Sequence, residues 1–387
     1  MVASVFVAET GVGSILPILP LYLRDRGTSF TLVGIVVGAS LVAQGAGQWP
    51  AGWLSDRLGR RALMVGGLCA SAIASFLFIV PMPVSMLVAL RVVQGLGFAA
   101  AMPAQRAAVA DLVPPSELGV AYGWLSGARI CGLIVGPALG GLLAVFGRWT
   151  VFAVTGGALL AGAAVAMATL PPMTVESRRA AADELARPLR AGRAGEAMRA
   201  VLAITIGIGF LIGIYDVVWS LYMRAIGATD WQVGLSFSLF SVPWVVVTPL
   251  AGWISDRRDR RWLAAGSVTV GACFGPVYPL LRNIPLVLII GAIEAATWAF
   301  TEPALNAYIM DAVPVDARGQ AQGTVGMAQG LAMAHGAAIA GALFAGGIWV
   351  PFVVGAVGCL VLALVSVPWF RAAGEHRRPS GLAVAVE

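Results

Sequence analysis

The chain has 387 residues, 59% of them hydrophobic and only 11% charged, whereas a soluble chain carries about a quarter charged residues. That balance excludes an ordinary soluble enzyme and places the chain among membrane proteins. All 25 basic residues are arginine and most lie in short segments between apolar runs, so the net charge of +6 reads as topology and not as a nucleic-acid face.

Apolar runs fall at 2–23, 31–51, 62–80, 84–105, 120–145 and 149–170, then at 201–223, 232–251, 262–281, 285–309, 320–345 and 349–370. Runs of about twenty residues match helices crossing hydrocarbon, whereas barrel strands would alternate over about ten. Helices also satisfy their own backbone hydrogen bonds, as hydrocarbon requires. The reading is an all-α membrane protein with 12 transmembrane helices. The first run starts at once and many follow, so no cleavable signal peptide is expected; whether Met1 is the natural start stays open. With the N-terminus cytoplasmic, the inner segments hold seventeen arginines and the outer loops five, namely Arg24, Arg26, Arg148, Arg224 and Arg282. That bias puts both termini on the cytoplasmic side. The absence of lysine with so much Ala, Gly and Val suggests a GC-rich bacterial genome, hence an expected bacterial inner membrane.

The runs group into an N-terminal six-helix bundle (1–170), a cytoplasmic linker (171–200), a C-terminal six-helix bundle (201–370) and a cytoplasmic tail (371–387). The linker could form an amphipathic helix on the inner face, but Pro171, Pro172 and Pro188 interrupt it and favour a flexible segment.

Polar residues at membrane depth carry the candidate chemistry. Helix 1 holds Glu9, and helix 2 holds Gln44 and Gln48, which either line a cavity or bind neighbouring helices. On helix 4, Arg91, Gln94, Phe98, Met102 and Gln105 share one face, as a cavity lining would. An arginine at that depth costs roughly 2.5–3.5 kcal/mol and turns toward the protein interior. The position 200 residues later is Gly291, so the fold itself does not require the charge. Helix 5 adds Arg129, and helix 7 adds Asp216 flanked by Tyr215 and Trp219, an edge for a flat or cationic solute. Glu294, Trp298, Glu302 and Asn306 are four apart on helix 10, and His335 lies in helix 11. Burial favours the neutral carboxyl and a nearby arginine the charged one, so a group between those influences can exchange protons. Cys69, Cys131, Cys273 and Cys359 fall singly inside apolar runs and read as small core residues, with neither metal nor disulfide expected.

An internal repeat sets the architecture. Gly52-Trp53-Leu54-Ser55-Asp56-Arg57 recurs 200 positions later as Gly252-Trp253-Ile254-Ser255-Asp256-Arg257. The same offset aligns Leu21-Tyr22 with Leu221-Tyr222, Gly34 with Gly234, and Asp111, Val113 and Pro114 with Asp311, Val313 and Pro314. Two pseudo-symmetric six-helix bundles in the same orientation follow, with a substrate site expected between them near the midplane.

The loop reading Gly52-Trp-Leu-Ser-Asp56-Arg57-Leu-Gly59-Arg60-Arg61 resembles the signature of the major facilitator superfamily. Gly52 and Gly59 permit a tight turn, while Arg60 and Arg61 can reach carboxylates, with Asp111 the natural partner. The resemblance implies a latch formed by these residues and, in the second copy, by Asp256, Arg257, Arg260 and Asp311, one that breaks when the cytoplasmic side opens. The second copy departs at Asp259, where the first has Gly59. Arg91-Val-Val-Gln94-Gly95 looks like the second signature of that family, to which the resemblance assigns proton coupling. Gly132-Leu-Ile-Val-Gly136-Pro137-Ala-Leu-Gly140-Gly141 resembles the pattern of its antiporter branches, glycines allowing close helix approach and Pro137 a kink.

The resemblance implies a transporter working by alternating access, exporting a small amphipathic or hydrophobic compound in exchange for protons. Arg91, Asp216, Glu294, Glu9 and Glu302 are the coupling candidates. Gln44, Gln48, Gln94, Phe98, Arg129, Tyr215, Trp219, Trp298, Asn306 and His335 are the cavity candidates. The alternatives are an exporter or facilitator of one sugar, metabolite or lipid-like solute without proton coupling, or a receptor that has lost transport. No nucleophile elbow, HExxH or phosphate-binding loop occurs, so an enzyme and direct ATP drive are not expected. The expected partners are a small-molecule substrate, protons and membrane lipid, with no nucleic acid, no metal and no cofactor beyond the proton gradient. The resemblance implies a monomer.

Overall fold

A computed structural model describes residues 1–114, 116–170, 193–314 and 317–375, with no strand among them. The first half holds α1 (Val2–Ile15), α2 (Leu19–Asp25), α3 (Phe30–Leu58), α4 (Arg60–Leu77), α5 (Val84–Leu112), α6 (Leu118–Leu143) and α7 (Trp149–Thr169). The second holds α8 (Arg193–Ala225), α9 (Asp230–Arg257), α10 (Arg260–Ala272), α11 (Ile284–Trp298), α12 (Thr301–Ala312), α13 (Arg318–Ala345) and α14 (Trp349–Glu375). Among the described residues eleven spans are long and apolar enough to cross a membrane, and α1 with α2, bent by 41°, makes a twelfth. Residues 171–192, most of the expected linker, lie outside the described residues, and α8 reaches back to Arg193.

The helix breaks have local causes. Proline lacks an N–H and its ring collides with the carbonyl four residues earlier. Pro20 so interrupts the chain between α1 and α2, and Pro303 between α11 and α12. Beyond α10, Pro276 and Pro279 turn the chain into a 3-10 segment, Gly275–Leu280.

The repeat survives in contacts as well as in letters. Ser29 caps α3 by accepting from Leu32 N–H, and Thr229 caps α9 by accepting from Gln232 N–H. Arg24 donates to the carbonyl of Thr28, and Arg224 to that of Ala228. Tyr22 donates to the Phe78 carbonyl at 2.6 Å, and Tyr222 to that of Tyr278 at 2.7 Å. One divergence is built into the backbone: Gly59 turns the chain from α3 to α4 at φ 88°, whereas Asp259 sits at φ −68° and caps α10 by accepting from Arg261 N–H. A left-handed φ suits glycine and not aspartate, so the two turns differ because the residues do.

In lipid the helices gain little from hydrophobic burial against one another and associate through close packing of small residues. The closest approaches between halves run along α3 with α13 and α6 with α9. A Cβ added to Gly34 would stand 2.7 Å from the Ala337 carbonyl oxygen and 3.0 Å from Gly341 N. One added to Gly234 would stand 2.8 Å from both Cα and N of Gly141. These are the same contact twice, since Gly34 pairs with Gly234 and Gly141 with Gly341 in the repeat.

Candidate functional site

The two glycine contacts close one end of the molecule, and a charge cluster lies over them. Arg148, between α6 and α7, donates to both oxygens of Asp230 at 2.9 and 2.8 Å, to Asp25 and to the Leu21 carbonyl. Asp230 opens α9, so this guanidinium ties the halves together. Burial lowers the affinity of Arg148 for its proton, but Asp230 and Asp25 outweigh that and raise its pKa above the usual arginine value. The charge that the cluster needs is fully present below that usual value, hence across all physiological pH.

At the opposite end, which carries most of the arginines, a cavity of about 600 Å³ opens between the halves. Gly319 in the first turn of α13 and Arg106 near the end of α5 line its mouth. Deeper walls come from Gln48 of α3, Trp244 of α9, Trp298 of α11, and Glu302 and Asn306 of α12. Gln322 and Gln329, seven residues apart on α13, complete a surface of two indoles, four carboxamides, one carboxylate and one guanidinium.

Of the residues expected to line the cavity, Gln48, Trp298 and Asn306 do so, together with Glu302. Gln94 and Gln105 are 2% and 4% exposed, Gln94 turned to Arg91 and Ser75 and Gln105 buried in packing. Gln44 donates to Met102 Sδ at 3.2 Å, gluing α3 to α5, and Phe98 packs against a core cluster. Trp219 is buried with its indole N–H on Ser236 Oγ at 2.8 Å, and Tyr215 packs on it and on Tyr278 and Phe352, an aromatic nest rather than a cavity edge. His335 stacks beside Phe210, with ring centroids 6.0 Å apart. Arg106, Trp244, Gln322 and Gln329 were not singled out by the sequence. The signal available was Gln322, Gly326 and Gln329 at helical spacing on α13.

Arg91 is buried at the centre of the first half. It donates to Gln94 Oε1 at 2.8 Å and to Ser40 Oγ at 2.5 Å, and Gln94 in turn donates to Ser75 Oγ at 2.9 Å. Among the described residues no carboxylate pairs with it directly, and its Nε is unpartnered. Asp216, on α8 of the other half, is the carboxylate whose charge reaches it. Glu9 is taken up locally, accepting from Arg129 Nε at 3.0 Å across α1 and α6.

Glu294 has no exposed surface and accepts from the Tyr278 hydroxyl and from Trp298 Nε1 at 3.2 Å. The Tyr215 hydroxyl faces the same carboxyl without closing a hydrogen bond.

The helix 5 glycines divide their work. A Cβ on Gly132, Gly136 or Gly140 would strike α1 at Glu9, Gly13 or Ser14, and Pro137 packs against Gly13. Gly141 faces the other half at Gly234. In the arginine motifs, Arg260 pairs with Asp256 at 2.9 Å and with Asp311, all within the second half, so this cluster holds together while the cavity beside it is open. Asp259 instead pairs with Arg261, which also donates to the Phe370 carbonyl, as Arg61 does to that of Met167. Arg57 and Arg257 lie over the rings of Trp53 and Trp253 at 3.8 and 4.0 Å. Arg60 is buried in the first turn of α4. The surroundings of Gly52 and the side chains of Asp56 and Asp111 lie outside what is described, so the first latch is not described.

A family model described as Major Facilitator Superfamily matches residues 1–215 and 201–383. Multidrug resistance protein 2 of Bacillus subtilis (strain 168) is 25% identical over 91% of this chain and 90% of its own length. Quinolone resistance protein NorA of Staphylococcus aureus (strain Mu50 / ATCC 700699) is 30% identical, over 36% of each chain. Among solved structures, a bacterial homolog of the human lysosomal transporter Spinster, in an inward-facing and unoccupied conformation, superposes with a TM-score of 0.81 at 14% identity, over 98% of this chain and 97% of the other.

Proposed function

Since the chain belongs to the major facilitator superfamily and is a multi-pass membrane transporter, we propose that it exports an amphipathic, aromatic-bearing small molecule from the cell in exchange for protons. The observation that carries this reading is Arg91, a guanidinium buried in one half with no carboxylate paired to it among the described residues and within electrostatic reach of Asp216 of the other. A carboxylate that gains or loses a proton changes how strongly it is held by that arginine, and the relation changes again when the halves rock. The relatives named for multidrug and quinolone resistance support efflux as the direction.

The cavity supplies the substrate chemistry. Trp244 and Trp298 offer faces to an aromatic plate, Glu302 attracts a cationic group and Arg106 an anionic one. The open cavity corresponds to the inward-facing state, with the arginine-rich end and both termini cytoplasmic and the Arg148 end outside, in the plasma membrane of a bacterium. Protonation of Asp216 from outside and substrate binding from inside compete, which couples the two fluxes. The protein works as a monomer, needs no cofactor and draws on the proton gradient.

The test uses purified protein in liposomes with an imposed pH gradient, a panel of lipophilic cations, neutral drugs and sugars, and the variants Arg91→Ala and Asp216→Asn. Substrate-triggered proton flux in wild type and its loss in both variants is the expected result. Flux surviving in both variants would refute the coupling role. The four carboxamides favour a second reading, a facilitator of a polyhydroxylated solute; sugar equilibration indifferent to uncouplers would mark it.

A further inference from the structure

Glu294 stands 200 positions after Gln94, the acceptor for Arg91. The counterpart of Arg91 is Gly291, packed against the Phe240 ring, and among the described residues no guanidinium pairs with Glu294. The groups facing it are the hydroxyls of Tyr278 and Tyr215 and the indole of Trp298, with the Cys359 thiol of α14 beyond Tyr215. Phenol and indole donors can hold a carboxylate, but without a cation its charge stays expensive at this depth.

Trp298 belongs to two places at once. Its N–H holds Glu294, while the residue also lines the open cavity. It is the last residue of α11, at the break that Pro303 imposes before α12, the helix bearing Glu302 and Asn306. Its ring rests on Gly271, where an added Cβ would stand 2.7 Å from the indole. The indole is thus the partition between the cavity and a sealed carboxyl, seated at the short break between α11 and α12.

We propose that Trp298 is a positioning residue that couples ligand occupancy of the cavity to proton exchange at Glu294, a second proton site beyond Asp216. A ligand stacking on the indole turns it off the carboxyl. Cavity water takes the place of the indole as donor, the carboxylic O–H bond breaks, its proton passes to that water, and the carboxylate left behind accepts from water and from the Tyr278 hydroxyl. When the ligand leaves, the carboxyl recovers a proton from water and the indole closes over it. This rests on the antiport reading and adds a second proton to it.

The experiment uses the purified full-length protein in weakly buffered detergent, with tetraphenylphosphonium as probe. Bound probe is measured by equilibrium dialysis and released protons by a pH-sensitive dye. Glu294→Gln is expected to keep binding the probe. Trp298→Phe, which keeps an aromatic face but loses the N–H, is expected to bind it more weakly and is compared at equal bound probe. Each should release fewer protons per bound probe than wild type. The double variant should show the same deficit as Glu294→Gln alone, since the indole acts through the carboxyl. Undiminished release from Glu294→Gln, with the deficit confined to Asp216→Asn, overturns the inference and leaves antiport standing. Binding without any release from wild type overturns both.

Discussion

Removing the Arg148 side chain should open the closed end. Arg148 is 10% exposed and Asp230 16%, and two charge-assisted hydrogen bonds at 2.9 and 2.8 Å join them across the halves. Bonds of this kind contribute ~1.5–3 kcal/mol each at most. Loss of the pair, discounted for partial exposure, is taken as about 2–3 kcal/mol. Asp25 is 60% exposed and lies in the same half as Arg148, so its ion pair adds nothing to this count. A shift of that size changes the ratio of closed to open ends roughly 30- to 150-fold. The assay is a distance distribution between spin labels on cysteines placed at Val145 and Ala225, one in each half and both exposed, in a background with Cys69, Cys131, Cys273 and Cys359 replaced. Arg148→Ala should add a longer distance to the single short one of the parent, and Arg148→Ala with Asp230→Ala should add little more, since the two side chains act as one pair. An unchanged distribution in Arg148→Ala would show that the glycine contacts alone hold this end, and the reasoning would fail.

Two further outcomes follow from the same contacts. Gly234→Leu puts a side chain where even a Cβ would stand 2.8 Å from the Gly141 backbone, so it should hold the Arg148 end open and abolish exchange; the label distances and substrate counterflow read the two effects separately. Arg91→Lys keeps the charge but not the fork that serves Ser40 and Gln94 together. Losing one charged hydrogen bond of ~1.5 kcal/mol should slow efflux about tenfold, measured as initial rates at matched membrane abundance.

The architecture was legible because two of its causes are written along the chain: apolar length and a constant offset. Both are properties of sequence spacing, and they located the spans and the bundle pairing. The site was legible by residue type but not by partner. Arg91 stood out because charge at membrane depth needs a reason, yet nothing in the spacing shows that Gln94 turns to hold it or that Gln105 faces packing. The rotation of a helix about its axis decides such things, and it is set by neighbours distant in the chain. Arg106 was hidden because it falls just past the apolar run ending at 105, in neither a loop nor the membrane-depth stripe, although its helix continues to Leu112. The cluster of Arg148 with Asp230 joins residues 82 apart, and no local pattern predicts it. The break beside Trp298 was not legible either: the four-residue spacing from Glu294 to Asn306 reads as one helix, and Pro50, Pro103, Pro137, Pro243, Pro249 and Pro368 all sit inside continuous helices, so Pro303 alone announces nothing.

The twofold glycine contact at the closed end bears on leakage. A membrane transporter must not let water thread through it between turnovers, because a single file of water conducts protons and drains whatever gradient the membrane holds. Interlocked side chains leave crevices that breathe as rotamers change. Backbone laid on backbone at Gly34 with Gly341, and again at Gly234 with Gly141, has no rotamers to change. It forms a gasket that freezes no side-chain motion when it shuts and surrenders none when it parts, so tightness and speed of cycling come from the same four residues.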